Sequence, residues 1–364
     1  VSDAVFQSWT RCLRQHASPT DSVEFQPVTQ SRTHLALQKN RALHEAWLRE
    51  LPDLHTTLGT SSCAAMLTDA SGVLIGATCA GRPHEHLMPI ATRLGVDLSE
   101  AAVGTTAPGV VARTGQAVCV LGAEHFFDEV RAMNCAAAPI RDLRGNVAGV
   151  LDISSEAVPF SFDAAAIVGL FAGAIENRLL VAQAKEHLVV YLQVAPSLLD
   201  SPLVGIVGVD GAGRLAWSNG VAARLLGLDL SQLVADPPPV EAALGASVGA
   251  LASLPTRGSA VMQLPSGLTV WVRATMQACD GRRELFSLQP VGPSIAVPAL
   301  LTTEPSLSGT EGLPGTTVSS SLRELDRDLI AHTLQACRGN VSRAAKQLHV
   351  SRGLIYRRLR ELRQ

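Results

Sequence analysis

GNVSRAAKQLHVSRGLIYRRL, residues 339–359, has the apolar spacing of two short helices joined by a turn. Ala345 is small enough to let a second helix approach the first, and Ile355 follows at the distance where it would pack against it. Gly339 stands where a preceding helix would end, and Ser351 is a residue type that caps the start of a helix. The stretch therefore predicts a helix-turn-helix.

The second helix of this pair is predicted to present a polar face that suits the major groove of DNA. Arginine can pair bidentately with a guanine edge, and neighbouring arginines can contact phosphates. We therefore predict that residues 321–364 form an all-α DNA-binding domain. Its DNA contacts are expected to come from side chains that point away from the helix pair: Arg343, Ser351, Arg352, Gly353, Tyr356, Arg357 and Arg360.

The charge of this segment agrees with a nucleic-acid partner. Residues 338–364 contain eight basic residues and one acidic residue, a net charge of +7, whereas the whole chain carries −2. The remainder therefore carries −9. A merely solvated, charged helix is the alternative. The helical register, the cap and the charge together favour double-stranded DNA as the partner.

The same residues resemble the Fis-type helix-turn-helix that ends bacterial enhancer-binding regulators. The resemblance covers Leu322 to Leu362 and implies that the domain binds DNA as a homodimer. One departure is His349, which occupies the turn where such motifs usually carry glycine. We expect backbone strain at that residue, because a side chain restricts the turn conformations that glycine permits.

The composition indicates a soluble protein of two or three domains. The 364 residues are 47% hydrophobic, which is enough for ordinary cores. The seven cysteines are scattered and form no CxxC pair, so we expect neither a zinc site nor a disulfide framework. The sequence shows no signal pattern at its start and no apolar run of membrane-spanning length, so we expect a cytoplasmic protein without membrane contact.

The first half of the chain has the pattern of a sheet flanked by helices. The predicted elements are, in order, a helical segment over residues 1–32, a helix from Thr33 to Leu51, a hairpin at 63–76, strands at 117–121, 133–140 and 147–153, and a helix from Asp163 to Tyr191. Helices on both sides of an antiparallel sheet give an α+β sensor domain, which we place at residues 33–190.

Three motifs in this region resemble the GAF domain of the acetoin-catabolism activator family, over about Leu35 to Gln183. They are LTDASGVLIG at 67–76, GTTA at 104–107 with EHF at 124–126, and CAAAPI at 135–140. Two residues depart from the family pattern. Thr106 stands where the family has asparagine, and Ala136 stands where it has serine. The resemblance implies a sensor for a small-molecule inducer.

The ligand of such a sensor is expected to contact the motif residues and their neighbours, Thr105, Cys119, Glu124, His125, Phe126 and Cys135. A carboxylate beside an imidazole could bind a small ketone or diol, or the pair could simply cap strands. The cysteines could sense redox state, or pack as small apolar side chains. His84 and His86 offer only two metal ligands. We expect no metal and no cofactor.

A third module is predicted at residues 191–291, because the stretch LVGIVGVDGAGRLAWSNGVAARLLGL at 203–228 resembles the start of a PAS domain. Strands are expected at 204–209 and 214–218, and Asn219 is placed to cap a short helix. Residues 292–320 are rich in proline, glycine, serine and threonine, a composition typical of a flexible linker.

The activators that this chain resembles usually carry an ATPase between sensor and DNA-binding domain. Such a domain needs a GxxxxGK[ST] phosphate loop, and no such motif occurs among the 364 residues. The sequence therefore predicts a ligand-responsive, sequence-specific transcription regulator that is not an enzyme and not a stand-alone sigma-54 activator. It could contact RNA polymerase directly.

Two other functions remain open at this stage. The chain could be a nucleoid-type protein that bends DNA and carries regulatory sensor domains, or a co-regulator that associates with a full-length sigma-54 activator. An enzyme would need a paired nucleophile and base, and no Ser-His-Asp or Cys-His arrangement is distinctive here. The inducer, the operator and the sign of regulation are not encoded in any motif.

Overall fold

The fold is that of a multidomain α+β protein, as predicted. The computed structural model describes residues 2–15, 18–59, 61–253, 259–277 and 283–286, and within the C-terminal segment 333–337, 339–348, 350, 352–353 and 355–356. The described residues form two antiparallel sheets and part of a C-terminal helical segment. The predicted linker at 292–320 lies outside the described residues.

The first sheet has the strand order β2-β1-β5-β4-β3. Its strands are β1 (Cys63–Asp69), β2 (Leu74–Ala77), β3 (Val118–Leu121), β4 (Met133–Arg141) and β5 (Val147–Glu156). Neighbouring strands are antiparallel, and β5 pairs with β1 along one edge and with β4 along the other. All five strands fall where the hairpin and strand patterns of the sequence predicted them.

Helices cover both faces of this sheet. The outer face packs against α2 (Gln30–Lys39), α3 (Arg41–Leu58) and α7 (Ala164–Gln183). The inner face packs against α1 (Asp3–Gln15), α5 (Glu100–Val103) and α6 (Ala107–Thr114), and the short α4 (Met88–Ala91) joins the same layer. The N-terminal helix is therefore part of the core that covers the inner face.

Two predicted helices have different bounds in the structure. The helix expected to end before Pro52 continues through it to Leu58, because Leu54 and Leu58 extend the buried stripe while Pro52 faces outward. The helix expected to reach Tyr191 ends at Gln183. The residues after it form a strand, since a short run rich in valine fits a buried strand as well as a helix.

The second sheet has the order β11-β10-β6-β7-β8, with β9 paired to the same strand, β10, as β11. Its strands are β6 (Leu188–Gln193), β7 (Gly205–Val209), β8 (Leu215–Ser218), β9 (Ala260–Gln263), β10 (Thr269–Gln277) and β11 (Arg283–Phe286). Four short helices pack beside it: α8 (Gly220–Leu226), α9 (Leu230–Ala235), α10 (Val240–Leu244) and α11 (Val248–Ala252). Its assignment as a PAS domain stays a prediction.

One described helix, α7, is long and apolar enough to cross a membrane by length and composition alone. The expectation that the chain has no such run was therefore wrong for this helix. Half of its apolar window is buried, and residues such as Phe171 and Ile175 pack into the outer core of the first sheet. In this structure, α7 is the core helix of the first domain.

The C-terminal segment contains α12 (Val341–Gln347) after the helical residues 333–336. Gly339 ends the preceding helical residues with φ 80°, in the left-handed region that favours glycine, as predicted. The Asn340 side chain caps α12 by accepting a hydrogen bond from the Arg343 amide at 2.9 Å. His349 and Ser351 lie outside the described residues.

Asn219 connects the two domains. Its side-chain oxygen accepts hydrogen bonds from the amides of Ile206 at 3.0 Å and Ala222 at 2.9 Å, which caps α8 as predicted. Its amide nitrogen donates to the Val204 carbonyl and to Asn177 of α7, both at 2.8 Å. Asn219 is 3% exposed, so its four partners cannot exchange these hydrogen bonds for bonds to water.

We expect Asn219→Ala to lower the free energy of unfolding by about 2–4 kcal/mol, because the substitution removes a helix cap and leaves several buried groups unpaired. The measurement is denaturant unfolding followed by circular dichroism. Asn146→Ala, at an exposed turn position of the first domain, is the matched control and is expected to change stability by less than about 0.5 kcal/mol. Equal effects of the two variants would contradict the assignment.

Candidate functional site

The GTTA and EHF motifs of the first domain meet beneath α1. Ser8 of α1 lies with its Oγ 2.9 Å from Oγ1 of Thr105, in the GTTA motif. Trp9 donates a hydrogen bond from its indole nitrogen to the Glu124 carbonyl at 2.7 Å, and its ring packs edge-on against Phe126 with centroids 5.1 Å apart. Helix α1 therefore holds the GTTA and EHF motifs together over the inner face.

An ion pair fixes α1 in this position. The Arg11 guanidinium donates two hydrogen bonds to the Glu100 carboxylate of α5, at 2.7 and 2.8 Å. This bidentate geometry is the strong form of an arginine–carboxylate contact. The hydrogen bonds to Glu100 are also the main cause of a raised pKa of the Arg11 guanidinium.

Thr106 acts as a helix cap at the position where the family has asparagine. Its hydroxyl accepts a hydrogen bond from the Gly109 amide at 3.3 Å at the start of α6, and it lies 3.4 Å from the Leu98 carbonyl. Threonine and asparagine side chains can both accept such a bond at this position. The departure from the family motif therefore preserves the local structure.

Glu124 and His125 differ in their surroundings. Glu124 is half-buried and accepts a hydrogen bond from the Leu121 amide at 3.0 Å, as a strand cap would. His125 is fully buried, and burial lowers the pKa of its imidazole to about 4, so the ring is neutral near pH 7. Its Nδ1 lies 3.0 Å from the Gly122 carbonyl, which can only accept. Nδ1 therefore carries the proton, and Nε2 presents a lone pair.

That lone pair is one of several buried polar atoms in this domain that have no hydrogen-bond partner among the described residues. His125 Nε2, Thr68 Oγ1 and Asp152 Oδ1 have no hydrogen-bond partner among the residues that the structure describes. All three residues are fully buried. Thr68 and Asp152 lie on the paired strands β1 and β5, two residues apart in register, and both alternate with residues of the outer core. Both side chains are therefore placed on the inner face.

Asp152 carries the acidic side chain of this group, and the sequence motifs did not indicate it. Its Oδ2 accepts a hydrogen bond from the Ser154 hydroxyl at 2.6 Å, and the same hydroxyl lies 3.0 Å from Sγ of Cys135. Burial raises the pKa of the Asp152 carboxyl to about 7. The one signal in the sequence was a carboxylate inside the apolar run VLDIS, where a buried charge is unfavourable without a partner.

The structure brings some of the predicted ligand residues together and separates others. Thr105, Phe126 and Cys135 belong to the inner layer, with His125 in the same loop as Phe126. Cys119 pairs with Ala136 in the sheet and packs with the outer core, on the opposite face from Cys135. Among the described residues there is no cluster of three metal-ligating side chains, including around His84 and His86.

The residues predicted to contact DNA also differ in their exposure and contacts. Arg343 is exposed on α12, as expected, and Gly353 is half-buried. Arg352 is partly exposed and forms an ion pair with Glu186, in the connection between α7 and β6. Tyr356 is 1% exposed and packs with the core of the second sheet, although its pattern predicted an outward position. Ser351, Arg357 and Arg360 lie outside the described residues.

Comparisons with known proteins agree with both motif regions. The GAF domain model matches residues 30–179, and the model of bacterial regulatory proteins of the Fis family matches residues 321–362. The acetoin catabolism regulatory protein of Cupriavidus necator is 30% identical over 230 residues, which cover 62% of this chain and 34% of that protein.

The chain is thus similar to acetoin-catabolism regulators and combines a GAF match with a Fis-type match. A second similar protein is the acetoin dehydrogenase operon transcriptional activator AcoR of Bacillus subtilis, 30% identical over 157 residues, which cover 42% of this chain and 25% of that protein. The chain thus spans about a third or less of the length of these two curated relatives.

One solved structure is similar in part. The crystal structure of the E. coli DhaR(N)-DhaL complex matches 80% of this chain and 100% of its own chain, with 18% sequence identity and a TM-score of 0.46.

The buried carboxyl predicts how stability depends on pH. Because the folded pKa of Asp152 is about 7 and its ordinary value is 3.8, the folded state holds a proton that the unfolded state releases. The stability that this proton contributes to the folded state is fully present below about pH 4 and is lost as the pH rises through about 7. We therefore expect the free energy of unfolding of Asp152→Asn, relative to that of the natural protein, to increase by about 2–3 kcal/mol as the pH rises from about 5 to about 8.

Denaturant unfolding of both proteins at the two pH values is the measurement. Every other titrating group is common to both proteins, so the difference between their profiles reports on position 152 alone. Parallel profiles would show that the Asp152 carboxyl does not hold a proton in the folded state.

Proposed function

We propose that the chain is a cytoplasmic transcription regulator whose GAF domain binds a small metabolite and whose Fis-type domain binds specific DNA as a dimer. The observation that carries this proposal is a set of fully buried polar atoms in the GAF domain, His125 Nε2, Thr68 Oγ1 and Asp152 Oδ1, that have no hydrogen-bond partner among the described residues. Unpaired buried polar atoms are unfavourable unless a bound molecule or a buried water satisfies them.

The chemistry of these atoms favours a small, neutral ligand with hydroxyl and carbonyl groups. His125 Nε2 accepts a hydrogen bond, the Thr68 hydroxyl donates or accepts one, and the Asp152 carboxyl donates when protonated and accepts when ionised. An anionic ligand is disfavoured, because it would lie beside a buried carboxyl without a compensating cation. Acetoin, the compound in the names of two relatives, has one hydroxyl and one carbonyl and is a suitable first candidate.

The DNA-binding half of the proposal rests on charge and fold. The segment 338–364 carries +7, and α12 with its Asn340 cap has the expected place in a helix-turn-helix. A homodimer would present two such segments, and sequence would be read by base contacts while phosphate contacts supply affinity.

Regulation in this proposal does not use ATP hydrolysis. The sequence contains no GxxxxGK[ST] phosphate loop between the GAF domain and the Fis-type domain. The proposed modes of action are occupancy of DNA, direct contact with RNA polymerase, or association with a relative that carries an ATPase. Neither an enzyme activity nor a cofactor is part of the proposal.

The sensor is tested by ligand binding to the purified protein. We expect acetoin to raise the midpoint of thermal unfolding, and we expect Asp152→Asn to reduce the affinity for acetoin by about tenfold to a hundredfold, the effect of one or two buried hydrogen bonds. Asp53→Asn, an exposed carboxyl on α3, is the matched control and should leave the affinity unchanged.

A panel of small diols and hydroxy-ketones extends the same measurement. If none of them binds the natural protein, the proposed ligand class is wrong. If one of them binds the natural protein and Asp152→Asn equally well, the ligand does not contact the inner face at Asp152.

The DNA contact is tested by salt dependence. Affinity for duplex DNA should fall steeply with salt, because each phosphate contact releases counterions. Arg343→Ala should reduce the magnitude of the slope of log K against log salt by about one for each subunit bound. Arg49→Ala, an exposed arginine of α3, is the control. An identical slope for the natural protein and Arg343→Ala would exclude Arg343 from the DNA contact.

A further inference from the structure

The C-terminal segment contacts the second sheet at the turn between β7 and β8. The Ser342 amide of α12 donates a hydrogen bond to the Gly211 carbonyl at 3.0 Å. The turn has its own support, because the Asp210 carboxylate accepts hydrogen bonds from the amides of Ala212 at 2.8 Å and Arg214 at 2.9 Å. The surface that receives α12 is therefore fixed by contacts within the second domain itself.

Gly211 fits this contact because it lacks a side chain. A Cβ at this position would lie 2.2 Å from Ser342 Oγ and 2.9 Å from Arg352 Cδ, both too close for a real contact. The backbone of Gly211 is not in the left-handed region, so its conformation would accept alanine. A larger residue here would therefore require the Ser342 and Arg352 side chains of the C-terminal segment to shift.

The same surface engages residues predicted to contact DNA. Arg352 forms an ion pair with Glu186 and reaches toward the Ser342 hydroxyl, with its Nη1 3.5 Å from that oxygen. Tyr356, one turn further along, is buried against the core of the second sheet. An arginine that pairs with a carboxylate cannot pair with a guanine edge at the same time, and a buried tyrosine cannot enter a groove.

The position of Glu186 links this contact to the sensor. Glu186 lies in the short connection between α7 of the first domain and β6 of the second, and its φ of 65° is in the left-handed region, where a non-glycine residue is strained. A movement of α7 relative to the second sheet would therefore move the carboxylate that holds Arg352.

We propose that the 210–213 turn of the second domain and Glu186 in the connection before it hold the DNA-reading helix, so that docking on this surface and binding to DNA exclude each other. The occupant of the surface is the chain's own helix-turn-helix, and the acidic Glu186 and Asp210 complement its charge of +7. Release from this surface would be the step that the sensor controls. The proposal rests on the proposed function, because it requires that the segment bind DNA.

The first test uses variants that disturb the docking surface and leave the predicted DNA contacts intact. Gly211→Ala places a methyl group against Ser342, and Glu186→Gln removes the charge that holds Arg352. Full-length variants are compared for affinity to a duplex recovered by selection from a random pool. Each should bind about tenfold more tightly than the natural protein, because the apparent dissociation constant falls as the competent fraction rises.

Matched controls come from the same domain. Gly249→Ala meets no atom closer than 3.9 Å, and Glu241→Gln lies in the exposed first turn of α10. Both should bind DNA like the natural protein. Unchanged affinity in Gly211→Ala and Glu186→Gln, with DNA binding otherwise intact, would overturn the proposal and leave the proposed function standing.

The second test locks the contact. In the double variant Gly211→Cys with Ser342→Cys, oxidation should join the two positions, and mass spectrometry of peptides should identify the bond. The oxidised protein should lose DNA binding, and reduction should restore it, with each single cysteine variant as control. A cross-linked protein that still binds DNA, or the absence of any cross-link, would overturn the proposal. DNA binding by none of the proteins, reduced or oxidised, would overturn the proposed function instead.

Discussion

Strand β5 is paired on both edges and covered on both faces, and most of the first domain is arranged around that constraint. A polar side chain on such a strand loses contact with water, so it must find a partner inside the protein or from a ligand. One oxygen of Asp152 accepts a hydrogen bond from the Ser154 hydroxyl, and the other has no hydrogen-bond partner among the described residues. The helices that cover the inner face therefore also enclose a carboxyl oxygen that has no hydrogen-bond partner among the described residues.

The sequence predicted the elements whose signals are local. The hairpins of the first sheet follow from turn residues between apolar runs, and the caps at Gly339 and Asn219 follow from residue type. Strand β6 was missed, because Leu188-Val189-Val190 continues the apolar pattern of α7 and only tertiary packing decides its conformation. Asp152 was missed for a related reason. Its importance comes from complete burial, which depends on contacts distant in sequence.

The C-terminal segment is a second case in which a local sequence pattern does not decide which contacts a residue makes. Helical periodicity separates apolar from polar positions, but it does not indicate which polar face meets solvent and which meets another domain. Arg352 fits a groove-reading role by sequence and is engaged with Glu186 in the structure. Both assignments are compatible if the segment has two alternative partners whose relative occupancy depends on a ligand. Such competition would allow control of DNA binding without nucleotide hydrolysis.

The N-terminal helix has a consequence for where the sensor begins. The residues that match the GAF model start at residue 30, yet Val5 and Cys12 of α1 are completely buried against the inner layer. A fragment cut to the matched range would open the inner layer to water and remove the hydroxyl that meets Thr105. The smallest unit that keeps the inner layer closed thus includes a helix that similarity alone leaves out.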